Sequence, residues 1–139
     1  MDGEWRVNVD TEKITINLGA VDLGQIDLLV EQGFYSNRTD FIRTAIRNHL
    51  SEHSSDVKGF LKPQYMETDI FTTMGVVKLG VTDLEELKSS SAKVNIKMVG
   101  MLIIDNDVTV ELARETIKNV KVYGIIRATD EVKKVILGK

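Results

Sequence analysis

The chain contains no cysteine, which removes disulfide frameworks, thiolate metal sites and cysteine nucleophiles from consideration. It has a single proline, Pro63, and only two histidines, His49 and His53. With so few histidines no Ser-His-Asp constellation is supportable, and the glycines form no phosphate-binding loop or dinucleotide fingerprint. No apolar run is long enough to span a membrane, and the opening residues carry acids where a secretory leader would be basic and apolar, so a cytoplasmic protein is expected. An excess of positive charge is missing as well. The formal net charge is −3, and residues 1–55 hold five Lys and Arg against nine Asp and Glu. A nucleic-acid footprint usually shows as a basic patch, so composition lends no support to one here.

What remains is an ordinary globular composition, 42% hydrophobic and 28% charged over 139 residues, enough for one domain or two small ones. The expected division is into residues 1–50, a polar linker at 51–69 around Pro63, and a second domain at 70–139. The expected class is mixed α/β, with an α+β first part.

In the first part, Lys13-Ile14-Thr15-Ile16-Asn17-Leu18 alternates polar and apolar, the pattern of a strand with one buried face. A helix is expected over residues 22–32, with Asp22 as N-cap, Ile26, Leu29 and Val30 as its apolar face, and Gly33 as its stop. A second helix follows with Ser36 as N-cap and Phe41, Ile42, Ala45, Ile46 and Leu50 at helical spacing. One strand and two helices in fewer than 40 residues cannot enclose a core, and a lone strand leaves its backbone groups unpaired. A two-fold dimer answers both needs: two strands pair antiparallel over four helices. Its core would be Ile14, Ile16, Leu18, Phe41, Ile42 and Ile46, with Lys13, Thr15 and Asn17 projecting outward.

The run KITINL, the helix after it, and GFYSNRTDFIRTAIRNHL together resemble the ribbon-helix-helix repressors, the class of Arc and MetJ. The resemblance is confined to the first part of the chain. It implies a homodimer that lays its ribbon in the major groove of double-stranded DNA, a transcriptional regulator with no catalytic residues, cofactor or metal. By position it assigns base reading to Lys13, Thr15 and Asn17, and phosphate contact to Ser36, Asn37 and Arg38 at the start of the second helix. The chemistry agrees: lysine donates to guanine, asparagine pairs with adenine, and threonine serves either. Arg38 is informative in itself, since a cation at a helix N-terminus opposes the dipole unless an anion sits nearby. Arg43 and Arg47 are expected to be solvated or paired with Asp40.

Other readings remain. The outward residues suit the solvent face of any half-buried ribbon, and Trp5, Val7 and Val9 alternate like a further strand among acids that would weaken DNA binding. The chain would then be an oligomeric scaffold, or an antitoxin of the same class. His49 and His53 stand four apart without further ligands, so a metal site there is incomplete. Asp105, Asn106 and Asp107 lack the spacing of a calcium loop and are expected to form a turn and cap before Val108.

The second part repeats. Gly75-Val76-Val77, Gly100-Met101-Leu102 and Gly124-Ile125-Ile126 recur at 25 and 24 residues, each inside an alternating run. Each run is followed by a helical pattern: Leu84 and Leu87, then Val108, Leu112 and Ile117, then Val132 and Ile136. Strand plus helix at this period predicts a small parallel β/α array, solenoid-like, with a shared bend or close approach at the glycines. Its two open edges predict further self-association or protein docking.

Overall fold

A computed structural model describes residues 11–61 and 70–138. In chain order the described elements are α1 (Ala20–Glu31), α2 (Arg38–Glu52), α3 (Ser54–Leu61), β1 (Ile70–Leu79), α4 (Val81–Ser89), β2 (Val94–Ile104), α5 (Val110–Thr116), β3 (Ile117–Arg127) and α6 (Asp130–Leu137). The mixed helix-and-strand class is therefore as expected. None of the described helices is long and apolar enough to cross a membrane. The chain separates into two compact units, Lys13–Phe60 and the remainder, Met1–Glu12 with Leu61–Lys139. The alternation at Trp5, Val7 and Val9, the acids Asp2, Glu4 and Asp10, and Pro63 lie outside the described residues.

In the first unit, α1 begins earlier than the sequence suggests. Its N-cap is Gly19, and Asp22 lies in the first turn, where its charge favours the dipole without capping. The helix ends as expected at Gly33, whose φ of +87° is the left-handed conformation that glycine adopts without a Cβ penalty. Gly33 N–H donates to the Val30 carbonyl and Phe34 N–H to that of Leu29, the paired bonds that close a helix C-terminus. The second cap is displaced by one residue: Asn37, not Ser36, caps α2, accepting from Asp40 N–H at 2.8 Å. The polar stretch expected as linker contains α3.

The second unit is a three-stranded parallel sheet in the order β1-β2-β3, with a helix after each strand. Register aligns Gly75 with Gly100 and Gly100 with Gly124. The same rows put Val77, Leu102 and Ile126 on one face, and Val76, Met101 and Ile125 on the other. The core occupies the first of these faces. Ile96, Met98, Leu102 and Ile104 of β2 pack with Leu84 of α4, Leu112 and Ala113 of α5, and Val132 and Ile136 of α6.

The helix entries differ in detail from the sequence expectation. Thr109, rather than the Asp105–Asp107 turn itself, caps α5, accepting from Leu112 N–H at 3.1 Å; Asp105 instead turns the chain by accepting from Val108 N–H and pairs with Lys78 at 3.6 Å. Ile117 does not end that helix. It opens β3 immediately after Thr116, whose buried hydroxyl donates to the Leu112 carbonyl at 2.6 Å.

The three glycines share φ values of +137°, +134° and +132°. A Cβ built on Gly100 would lie 1.9 Å from the Gly75 carbonyl oxygen, and one on Gly124 would lie 2.1 Å from that of Gly100. Each rung thus presses its backbone into the next, the close approach that the repeated glycine implied. Gly75 has the same conformation but nothing within 4 Å of its Cβ position.

The turn after α4 closes like that of α1, with Ala92 N–H donating to Leu87 and Ser91 N–H to Lys88, but the left-handed residue is Ser91 at φ +56°. A serine there carries a Cβ penalty of about 1 kcal/mol. Ser91→Gly is accordingly expected to raise the unfolding free energy by roughly 0.5–1 kcal/mol in urea titration. In the same assay Gly100→Ala is expected to cost at least about 2 kcal/mol more than Gly75→Ala, because only the former adds a clash with fixed backbone to the shared φ strain.

Candidate nucleic-acid interface

Residues 11–19 precede α1 outside any helix or strand of the single chain. Lys13, Thr15 and Asn17 are exposed there, and so are the alternating Ile14, Ile16 and Leu18, with 74%, 54% and 42% of their surfaces accessible. On α2, Phe41 and Ile42 are half-buried and Ile46 is exposed. The helix buries none of its residues, and of the fourteen buried hydrophobic residues described only Ile26 falls within Lys13–Phe60. Val21, Leu28, Phe34, Leu50 and Phe60 add further exposed apolar surface to the same unit. At ~25 cal/mol per Å2, so much accessible apolar area is a large unrealised stabilisation. Exposed apolar surface on this scale marks an interaction site.

The start of α2 is a compact electrostatic arrangement. Asn37 Oδ1 caps Asp40 N–H while Asp40 Oδ2 accepts from Ser36 N–H at 2.9 Å, a reciprocal pair one residue wider than the usual capping box. Ser36 therefore sits just outside the helix with its backbone donor already engaged. Asp40 holds the backbone rather than Arg43 or Arg47, both of which are exposed.

Arg38 forms a two-pronged bond to Asp27 of α1, Nε to Oδ1 at 2.7 Å and Nη2 to Oδ2 at 2.9 Å. The anion that the sequence required near this cation is thus supplied from within the unit. The hydrogen bonds donated by Arg38 hold the Asp27 carboxyl below its ordinary value of 3.8, and the same bonds, accepted by Asp27, raise the guanidinium further. Both side chains are about half exposed, so the pair fixes the angle between α1 and α2 more than it adds stability. Two guanidinium nitrogens are engaged, which leaves Nη1 for an incoming oxyanion. No sequence periodicity signals this pair, because its members lie eleven residues apart on different helices.

The histidines turn to local acids: His49 Nδ1 lies 3.2 Å from Glu52 and His53 Nδ1 lies 3.2 Å from Asp56, with the rings edge to face at 5.3 Å. Among the described residues no group of three or more His, Asp or Glu side chains is arranged to hold a metal.

The ribbon-helix-helix transcriptional regulator family matches residues 9–133, and the chain belongs to that family. The match runs through both compact units, well beyond residues 13–50 where the sequence resemblance was visible. No curated protein and no solved structure matches the chain.

The Asp27–Arg38 pair has a defined pH dependence. A carboxyl with a lowered folded pKa contributes stability above its unfolded pKa and loses it as pH falls through the folded value. Thermal melts of the wild type and Asp27→Asn are therefore expected to differ most at neutral pH and to converge below pH 3.8. A difference that stays constant down to the acid limit would remove the ion pair from the account.

Proposed function

We propose that this chain is a sequence-specific DNA-binding transcriptional regulator, a repressor in mode of action, that works as a dimer through a two-stranded ribbon in the major groove. The observation that carries the reading is the alternation at residues 13–18 in a member of a transcriptional regulator family. Ile14, Ile16 and Leu18 are unburied in the single chain, and Lys13, Thr15 and Asn17 stand between them. Pairing two such segments antiparallel would bury the apolar set, with Phe41, Ile42 and Ile46 beneath, and present the polar set outward in two-fold symmetry. Lys13, Thr15 and Asn17 then read base edges. Ser36, Asn37 and Arg38 meet the phosphates flanking them, Arg38 by Nη1 while Asp27 holds the rest of its guanidinium. The role is non-enzymatic and needs no cofactor, and its place is the cytoplasm, where the DNA is.

An oligomeric scaffold that uses the ribbon only to dimerise is the second reading. It is favoured by the acid excess of residues 1–55 and by the engagement of Arg38 with Asp27. The two separate on binding to the gene's own promoter region, followed by fluorescence anisotropy at low and moderate salt. The regulator reading expects specific binding that weakens as salt rises. Lys13→Ala and Asn17→Ala should each reduce specific affinity by about 1–3 kcal/mol and leave non-specific binding less affected. Ile16→Lys should abolish both the dimer and specific binding. A dimer that shows no specific binding even at low salt would establish the scaffold instead.

A further inference from the structure

Gly75 carries a feature that no other described residue uses. Gly100 and Gly124 need to be glycine because the carbonyl of the preceding rung occupies the space of a Cβ. Gly75 adopts the same left-handed backbone, φ +137°, with that space empty, since no rung precedes β1 among the described residues. The conformation is the one a preceding rung would require, and the chain's own last rung ends in a carbonyl of the right kind at Gly124.

We propose that the array extends from chain to chain: β3 of one copy docks as a parallel strand on β1 of a second, with Gly124 of the first against Gly75 of the second. The observed register then fixes the other pairs. Tyr123 comes beside Met74, Ile125 beside Val76 and Ile126 beside Val77, which continues the apolar rows that run through Val99, Met101 and Leu102. Met74, Val76 and Tyr123 are each more than half exposed in the single chain and lose solvent in this arrangement. Lys121 comes beside Thr72, whose buried Oγ1 has no hydrogen-bond partner among the described residues. Arg127, which donates to the Thr11 carbonyl and pairs with Glu12 at 3.8 Å, comes beside Lys78, which pairs with Asp105.

The helices give the second, independent support, which is charge complementarity. Within the chain, α4 and α5 are joined by a cation on the earlier helix and an acid on the later, Lys88 to Glu115 at 3.1 Å. α6 and α4 both begin six residues beyond their glycine, so docking brings the exposed Lys134 of one copy level with the exposed Glu86 of the next. The pairing repeats the intramolecular sense, earlier-helix cation to later-helix acid. Because the two faces differ, the contact is head-to-tail and does not close on itself.

The test is the mass distribution of the full chain by sedimentation velocity across a wide concentration range, without DNA. The wild type is expected to form species whose mass grows continuously with concentration. Gly75→Val is expected to stop at the base oligomer and, added in minor amount, to shorten wild-type assemblies, since it blocks one face and leaves the other intact. Lys134→Glu, at an exposed helical position that folding does not need, should weaken growth about fivefold, and Glu86→Lys should restore it. Ile16→Lys, which breaks the ribbon dimer, should leave head-to-tail growth in place, so failure of the ribbon reading is distinguishable from failure of this one. A wild-type mass that is constant across the range overturns the proposal. So does a closed tetramer insensitive to Lys134→Glu, because that species would pair β1 with β1.

Discussion

The unit Lys13–Phe60 holds α1, α2 and nearly all of α3, yet it buries only Ile26 among the described hydrophobics. Local bonds cannot supply what is missing. Helix caps at Asn37 and Gly33 contribute about 1 kcal/mol each and the solvent-screened Asp27–Arg38 pair sets geometry, whereas ordering the backbone of the whole unit costs far more. The exposed Ile14, Ile16, Leu18, Ile46 and Leu50 hold a large apolar reserve that the single chain leaves in solvent. In the proposed reading that reserve is buried between two copies, so dimerisation would be a condition of the fold and of any reading of DNA by the ribbon.

The array solves its own problem differently. Its sheet has a core of eleven buried residues, and each rung is held to the next by backbone pressed against backbone at a glycine. The family match covers both units, so the array belongs to the definition of this regulator family and is no incidental attachment. If both proposals hold, a dimeric first unit and a second unit with unlike edges combine a closed symmetry with an open one.

Much of this was legible in the sequence, for reasons that differ from element to element. The strands of the array could be read because β-branched residues alternate and the glycine recurs at 25 and 24 residues, both direct imprints of pleat and rung spacing. The stop at Gly33 was legible because only glycine takes that conformation cheaply. The cap of α2 was misplaced because Ser36 and Asn37 are equally good caps by type; what decides is the carboxylate three residues on, Asp40, which answers Asn37. Gly19 was overlooked as a cap because it has no side chain to signal one. The Asp27–Arg38 pair joins two helices across a turn, and periodicity within one helix carries no information about it. Of the candidate site, alternation separates Lys13, Thr15 and Asn17 from Ile14, Ile16 and Leu18, but both sets are exposed in the single chain, and what would sort them is not encoded locally.

The repeat period itself has a consequence for how such arrays vary. Between β1 and β2 the connecting residues are divided one and four, Gly80 before α4 and residues 90–93 after it. Between β2 and β3 they are divided five and none, residues 105–109 before α5 and a direct passage from Thr116 to Ile117 after it. The total is five in both cases, with four of them shifted from one end of the helix to the other. Conserved loops are therefore the wrong thing to look for in a search for more rungs of this kind. The quantity that geometry holds fixed is the length of chain needed to leave a strand, cross the sheet and return one strand over, and it is measured from glycine to glycine.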